Sequence, residues 1–173
     1  GNLEEAEDAV RDYIDSYPDT VQRWIDLEKL LASQKKYSAL LETGDTISVM
    51  FPELKNTHPV LFYTHTYLSG IAAYREGRYE AAVDYFIPLL TETATVEESS
   101  HSRAVMPNTL YYYSYSLYEL EEYRQAVESL TTLIEAYPEN PYIQNGLFLA
   151  GMSLFELEEF AEAASFFGRV TTT

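Results

Sequence analysis

The chain repeats one short pattern along its length. Four segments carry a turn residue that is aromatic or leucine, then two spacers, then an alanine that opens a helix-like stretch. The turn residue and the alanine are Leu3 and Ala6, Tyr79 and Ala82, Tyr123 and Ala126, and Phe160 and Ala163. A larger apolar residue follows each alanine by four positions, at Val10, Phe86, Leu130 and Phe167. Because one such unit cannot bury its apolar faces alone, the pattern requires neighbouring units to stack.

Helical periodicity runs through almost the whole chain. Apolar residues recur every three to four positions, glycine and proline number only seven each, and no segment alternates apolar and polar residues as a strand does. Two segments close in Tyr-Pro, where proline removes a backbone donor and ends a helix. The sequence therefore predicts an all-α fold.

These features resemble the tetratricopeptide repeat family, whose helix–turn–helix unit has about 34 residues. Trp24 and Leu27 match the Trp-x2-Leu of its first helix, and Pro18 and Pro52 are 34 residues apart. The small position of the first helix is filled by Gly70, Ser114 and Gly151. Gly77 matches the turn glycine, which Glu121 and Glu158 replace in later units. The resemblance implies a right-handed superhelix of stacked helix–turn–helix repeats.

The repeat boundaries predict one array over residues 1–173. Its units are approximately 1–20 (a second helix alone), 21–53, 59–94, 107–140 and 144–173. The turn aromatics Tyr37, Tyr79, Tyr123 and Phe160 are spaced by 42, 44 and 37 residues, so we expect long connections at 54–61 and 94–106 and elongated first helices. Such irregular arrays resemble bacterial envelope-assembly repeat proteins. Both ends fall inside a repeat, so we expect a fragment of a longer protein, or an array whose ends form a homodimer.

The second unit departs from the family pattern. Glu28 and Leu40 stand where small residues are expected, and Gly44 stands where a bulky one is. Two interpretations stay open: the helices of this unit lie further apart, or the unit is degenerate.

Charge narrows the class of partner. The chain has 28 acidic and 11 basic side chains and a net charge of −17, which argues against nucleic-acid binding because phosphate contacts need clustered Lys and Arg. Residues 106–173 hold ten acids and two bases, so they would attract a basic partner or simply keep the protein soluble. The chain has no cysteine and no apolar run of membrane-spanning length. We expect no membrane insertion, and an extracytoplasmic location is slightly favoured.

Catalytic patterns are poor, and we expect no enzyme activity, metal or cofactor. His58, His65 and His101 lack the spacing of a zinc-binding helix, and we expect His65 in a groove or on the surface. Paired carboxylates occur at 4–5, 97–98, 121–122 and 158–159, where we expect solvated turns or loops rather than acid–base pairs.

An aromatic stripe is the candidate functional site. In "YYYSYSLY", Tyr111, Tyr115 and Tyr118 fall within about 60° on one helix face, and the family resemblance implies that first helices line a concave binding face. The predicted partner-binding residues are Tyr67, Tyr74, Arg75, Tyr111, Tyr115, Tyr118, Glu119, Phe148, Met152, Phe155 and Glu156. Two functions follow: a scaffold that binds a peptide or helix of a partner protein, or a structural segment whose stripe packs internally.

Overall fold

The computed structural model describes residues 2–91 and 100–170, with side chains from residue 105 onward in the second range. These residues form ten α-helices and no strand, which confirms the all-α prediction. The helices are α1 (Asn2–Ser16), α2 (Val21–Ser33), α3 (Tyr37–Met50), α4 (Leu54–Thr57), α5 (Pro59–Arg75), α6 (Tyr79–Thr91), α7 (Ser100–Glu119), α8 (Tyr123–Ala136), α9 (Ile143–Glu156) and α10 (Phe160–Arg169).

The helices follow the order of the predicted repeats. The first helices of the four predicted repeats correspond to α2, α5, α7 and α9, and their second helices correspond to α3, α6, α8 and α10. Helix α1 corresponds to the second helix predicted alone. The chain divides into two compact structural units, the first unit Gly1–Ala81 and the second unit Ala82–Thr173, with the boundary inside α6. The first helices α5 and α7 have 17 and 20 residues against 13 in α2 and 14 in α9, so the predicted elongation is present.

The connection predicted over 94–106 is wrong in its second half. Helix α7 already begins at Ser100, and residues 92–99 lie outside the described chain. The spacing of the turn aromatics predicted an elongated first helix, but the repeat motif covers only its C-terminal half and does not fix the residue at which the helix begins.

Each first helix ends in the same backbone turn. The second residue after the helix adopts a left-handed conformation, with φ between 58° and 71°; these residues are Lys35, Gly77, Glu121 and Glu158. The next residue's N–H then donates to the carbonyl five positions back, as from Glu122 to Leu117 and from Glu159 to Leu154, both at 2.9 Å. This bond closes the helix and reverses the chain. Glu121 and Glu158 therefore do occupy the predicted glycine position.

The core of the first unit forms around α2, α3 and α4. Val21, Ile25, Ile47 and Leu54 are buried together, and Trp24 packs against them. The Trp24 indole Nε1–H donates to the carbonyl of Pro18 at 2.8 Å, so the tryptophan of the motif joins the core to the turn before its helix.

The core of the second unit joins α7, α8 and α9. Leu110, Leu130, Leu133 and Leu149 form its centre. Gly151 allows α10 to lie close to α9, because a Cβ placed there would come within 2.5 Å of the Phe167 ring. The small residue predicted from the repeat pattern is thus required by packing.

The left-handed turns generate a stability prediction. Replacing Glu121 or Glu158 by glycine should raise the free energy of unfolding by about 0.5–1 kcal/mol each, because glycine relieves the left-handed strain but costs more chain entropy. Urea denaturation measures the change. Glu122→Gly is the control, since Glu122 has φ −81° and gains no relief. An equal gain from Glu122→Gly would contradict the explanation.

Candidate functional site

An open cavity of about 520 Å³ lies between α7 and α9 in the second unit. Its walls include five of the predicted partner-binding residues: Tyr111, Tyr115, Tyr118, Phe148 and Met152. Gln144 and Asn145, at the start of α9, add polar groups to the wall. The structure therefore brings nearly half of the predicted stripe together around one space.

Three tyrosines form the α7 wall of this cavity. Their positions at 111, 115 and 118 place them on one face of the helix. Neighbouring ring centroids lie 6.4 Å apart for Tyr111 and Tyr115 and 6.5 Å apart for Tyr115 and Tyr118, with the planes tilted by 53° and 56°. Each ring is half-buried against the core of the unit. The same three rings therefore pack against the core and also line the cavity, so internal packing of the stripe does not conflict with a role in binding.

Tyr142 contacts the α7 wall of this cavity and was not predicted from the sequence. Its ring stacks on Tyr111, with centroids 4.5 Å apart and planes 10° apart, and its hydroxyl shares a 2.8 Å hydrogen bond with that of Tyr112. Tyr142 precedes α9, in a connection where the repeat motif sets no position. The stacking fixes the orientation of Tyr111 and supports one end of the cavity.

The α9 wall is more exposed. Phe148 and Met152 are four residues apart and so share a face of the helix. Phe148 remains 54% exposed, although its ring lies 5.7 Å from that of Phe167. A large apolar side chain this exposed, beside a cavity, offers contact area to another molecule.

Carboxylates give one end of the site a negative potential. Glu119 and Glu156 are exposed at the ends of α7 and α9. Burial raises the pKa of the Tyr118 phenol, and the charges of Glu156 and Glu119 raise it further. Among the described residues that line the cavity, none is basic.

The remaining predicted residues lie elsewhere. Phe155 is exposed, and its ring centroid lies 5.3 Å from that of Phe160. It is not part of the cavity lining. Tyr67, Tyr74 and Arg75 belong to the first unit, where the Arg75 guanidinium lies 5.5 Å from the Tyr74 ring centroid. That all eleven residues share one concave face stays a prediction.

A buried acid–base pair in the first unit was not predicted. His65 on α5 is 4% exposed and its Nδ1 lies 2.8 Å from Oε1 of Glu28 on α2, which is fully buried. The expectation of a groove or surface position for His65 is therefore wrong. Gly44 on α3 makes the room, since a Cβ there would lie 2.8 Å from the Ser69 hydroxyl oxygen and 3.3 Å from the imidazole of His65. In this repeat the large side chain of Glu28 replaces the expected small residue, and the small Gly44 replaces the expected bulky residue.

The polar cluster around this pair is incompletely bonded. Within the part of the chain that the structure describes, Glu28 Oε2 and the Ser69 hydroxyl make no hydrogen bond of full geometry, although the two side chains lie close together. Burial raises the pKa of Glu28, and the interactions of its carboxyl group with His65 and with the Ser69 hydroxyl offset part of this rise.

The other candidate chemical groups do not form sites. The carboxylates at 4–5 and 121–122 are exposed, and Glu159 forms an ion pair with Arg124. Glu97, Glu98 and the side chain of His101 lie outside the described residues. In the described ranges, no three His, Asp or Glu side chains converge on a metal position, and no helix has both the length and the apolar surface to span a bilayer.

Comparison with known proteins identifies the repeat. Residues 114–171 match the tetratricopeptide repeat family model. Residues 114–171 carry tetratricopeptide repeats. Among curated proteins, none matches its sequence.

Solved tetratricopeptide repeat structures share the fold of the chain. A crystal structure of MamA superposes with a TM-score of 0.76 at 17% identity, covering 98% of this chain and 81% of that one. MamA from Desulfovibrio magneticus RS-1, residue 41 to the end, superposes with a TM-score of 0.74 at 15% identity, covering 98% of this chain and 84% of that one. YrrB, described as a TPR protein with an unusual peptide-binding site, superposes with a TM-score of 0.65 at 20% identity, covering 94% of this chain and 73% of that one. Tetratricopeptide repeats are in general non-enzymatic scaffolds for protein–protein interaction.

The buried pair predicts strong coupling between two substitutions. Glu28→Met or His65→Phe alone should lower the free energy of unfolding by about 3–5 kcal/mol, because each leaves the other polar group buried without its partner. The double variant should recover most of this loss, since an apolar pair of similar volume needs no partner. Urea denaturation of all four proteins measures the coupling, and additive losses would contradict it.

The raised pKa of Glu28 predicts a pH dependence. The pKa of the Glu28 carboxyl is higher in the folded protein than in the unfolded chain, where it is about 4.3. Such a group contributes its full stabilisation of the fold when the pH is below the unfolded pKa, and this contribution is lost as the pH rises through the folded pKa. The unfolding free energy of the wild type minus that of Glu28→Gln should therefore fall as pH rises above about 4. Urea denaturation at a series of pH values tests the sign, and a rising difference would refute it.

Proposed function

We propose that this protein is a scaffold that holds a segment of a partner protein against the cavity between α7 and α9. The observation that carries the proposal is the open space of about 520 Å³ lined by Tyr111, Tyr115, Tyr118, Phe148 and Met152. Rigid aromatic side chains offer a large contact area at a small entropic cost, and tyrosine keeps a hydroxyl for directional bonds. The peptide-binding site named for YrrB supports a peptide as the kind of partner.

The partner segment is basic where it meets α7 and α9. Glu119 and Glu156 place negative charge beside Tyr118. A Lys or Arg side chain there forms an ion pair with a carboxylate and a cation–π contact with a tyrosine ring. The net charge of −17 also speeds the approach of a basic partner.

Selection of peptides from a random library on the immobilised protein tests this function. The selected peptides should pair Lys or Arg with an apolar residue, and Phe148→Ala should weaken their binding by about tenfold, since truncating a hot-spot aromatic costs more than 1 kcal/mol. Phe160→Ala is the matched control, because Phe160 is 56% exposed and lies outside the cavity lining. Equal affinity for wild type and Phe148→Ala would exclude this cavity, and failure to select any peptide would favour a purely structural segment.

Charge recognition has its own test on the selected peptides. Replacing their arginine by citrulline should weaken binding to the wild type but much less to Glu156→Gln, because the contact partner is then already neutral. Glu135→Gln is the control, since Glu135 is an exposed acid on α8. Binding that is insensitive to both changes would remove the basic side chain from the proposal.

A further inference from the structure

The cavity between α7 and α9 has two walls of similar length. The lining residues of α7 extend from Tyr111 to Tyr118, and those of α9 extend from Gln144 to Met152. Because a helix rises 1.5 Å per residue, these walls are about 10 and 12 Å long. A volume of about 520 Å³ over a length of about 11 Å gives a mean cross-section of about 50 Å².

A space of this cross-section suits an extended chain better than a helix. An extended chain packed among neighbours occupies about 4.8 Å by 10 Å, or about 48 Å², as the spacings between strands and between sheets show. A helix with its side chains has a diameter of about 10 Å and therefore needs about 80 Å². Over its length, the cavity holds about three residues of an extended chain.

The tyrosines of the α7 wall have the period of an extended chain. Ring centroids lie 6.4 Å apart for Tyr111 and Tyr115 and 6.5 Å apart for Tyr115 and Tyr118. Alternate side chains of an extended chain share a side at intervals of about 6.6 Å. Side chains on one face of a helix recur every three or four residues, which is only about 4.5–6 Å along its axis. An extended partner therefore places alternate side chains beside successive rings.

The lining also carries the polar groups that an extended backbone requires. A helix bonds its own N–H and C=O groups, whereas a single extended chain leaves them for its surroundings to bond. Five of the nine described lining residues carry a hydroxyl or an amide, namely Tyr111, Tyr115, Tyr118, Gln144 and Asn145. Each of these side chains can both donate and accept hydrogen bonds. The cavity can therefore bond part of a partner's main chain while it buries apolar side chains.

Negative charge lies at one end of the cavity. Helices α7 and α9 end at Glu119 and Glu156, and both carboxylates act electrostatically on Tyr118, the last ring of the α7 wall. The C-terminal ends of the two helices add the negative ends of their dipoles. A basic side chain of the partner therefore lies beyond Tyr118, and its apolar side chains lie along the three rings.

We propose, building on the scaffold function above, that the cavity binds its partner segment as an extended chain with an alternating sequence. Two apolar side chains, two residues apart, lie along the rings from Tyr111 to Tyr118. A Lys or Arg two residues further along lies at Glu119 and Glu156. The segment has the pattern apolar-x-apolar-x-basic in one chain direction, or basic-x-apolar-x-apolar in the other.

Fluorescence anisotropy of labelled peptides on the whole chain tests this pattern. Two alternating peptides, Thr-Leu-Thr-Leu-Thr-Lys-Thr and its reverse, cover the two chain directions. A rearranged peptide, Thr-Leu-Thr-Thr-Leu-Lys-Thr, has the same composition, and a stapled helical peptide carries its leucines four residues apart. The better alternating peptide should bind about tenfold more tightly than the other two designs, because each of those leaves part of its leucine surface unburied.

The conformation of the bound peptide gives a second measurement that needs no protein variant. With ¹³C-labelled leucines, the Cα shifts of the bound alternating peptide should lie below their random-coil values, as they do in strands. Cα shifts above the random-coil values would show a bound helix and overturn the proposal.

A cavity variant separates this proposal from the scaffold function. Phe148→Ala should weaken the alternating peptide, whereas Phe160→Ala, outside the lining, should leave its affinity unchanged. If the rearranged or helical peptide binds as tightly as the alternating one and is weakened by Phe148→Ala, the cavity is a binding site but the extended pattern is wrong. If no peptide is weakened by Phe148→Ala, both the pattern and the scaffold function of this cavity fail.

Discussion

The close approach of paired helices is the constraint on which the rest of this structure depends. Gly151 leaves room for the Phe167 ring, and Gly44 leaves room for Ser69 and His65, so each contact requires one residue with almost no side chain. At Gly151 the space is filled by an aromatic ring, as repeat packing requires. At Gly44 the same kind of space holds an acid–base pair, and one repeat thereby gains a polar cluster inside an apolar core.

The candidate binding surface arises from the same packing. Helix α7 buries Leu110 and Leu117 on one side, which turns Tyr111, Tyr115 and Tyr118 toward α9. Those rings remain half-buried because they also close the edge of the core. Side chains packed in this way have already lost part of their rotamer freedom, so ordering them against a partner would cost little further conformational entropy.

The sequence predicted the helices and the turn positions, because periodicity and turn chemistry are local properties. Glu121 and Glu158 were placed correctly at left-handed turns although neither is glycine. The N-terminal start of α7 and the burial of His65 were missed. Both depend on what packs against a segment from distant parts of the chain, which one helical period does not encode.

By itself, the sequence determined an all-α array of helix–turn–helix units and the face of α7 that carries the tyrosines, since spacing along one helix fixes which side chains share a side. Only the tertiary structure decided that Tyr142 stacks on Tyr111, that α9 stands across an open cavity from α7, and that Glu28 meets His65. Those partners are 31 to 37 residues apart in the chain (142−111 and 65−28). Contacts of that separation form through the packing of several helices, which no local pattern specifies.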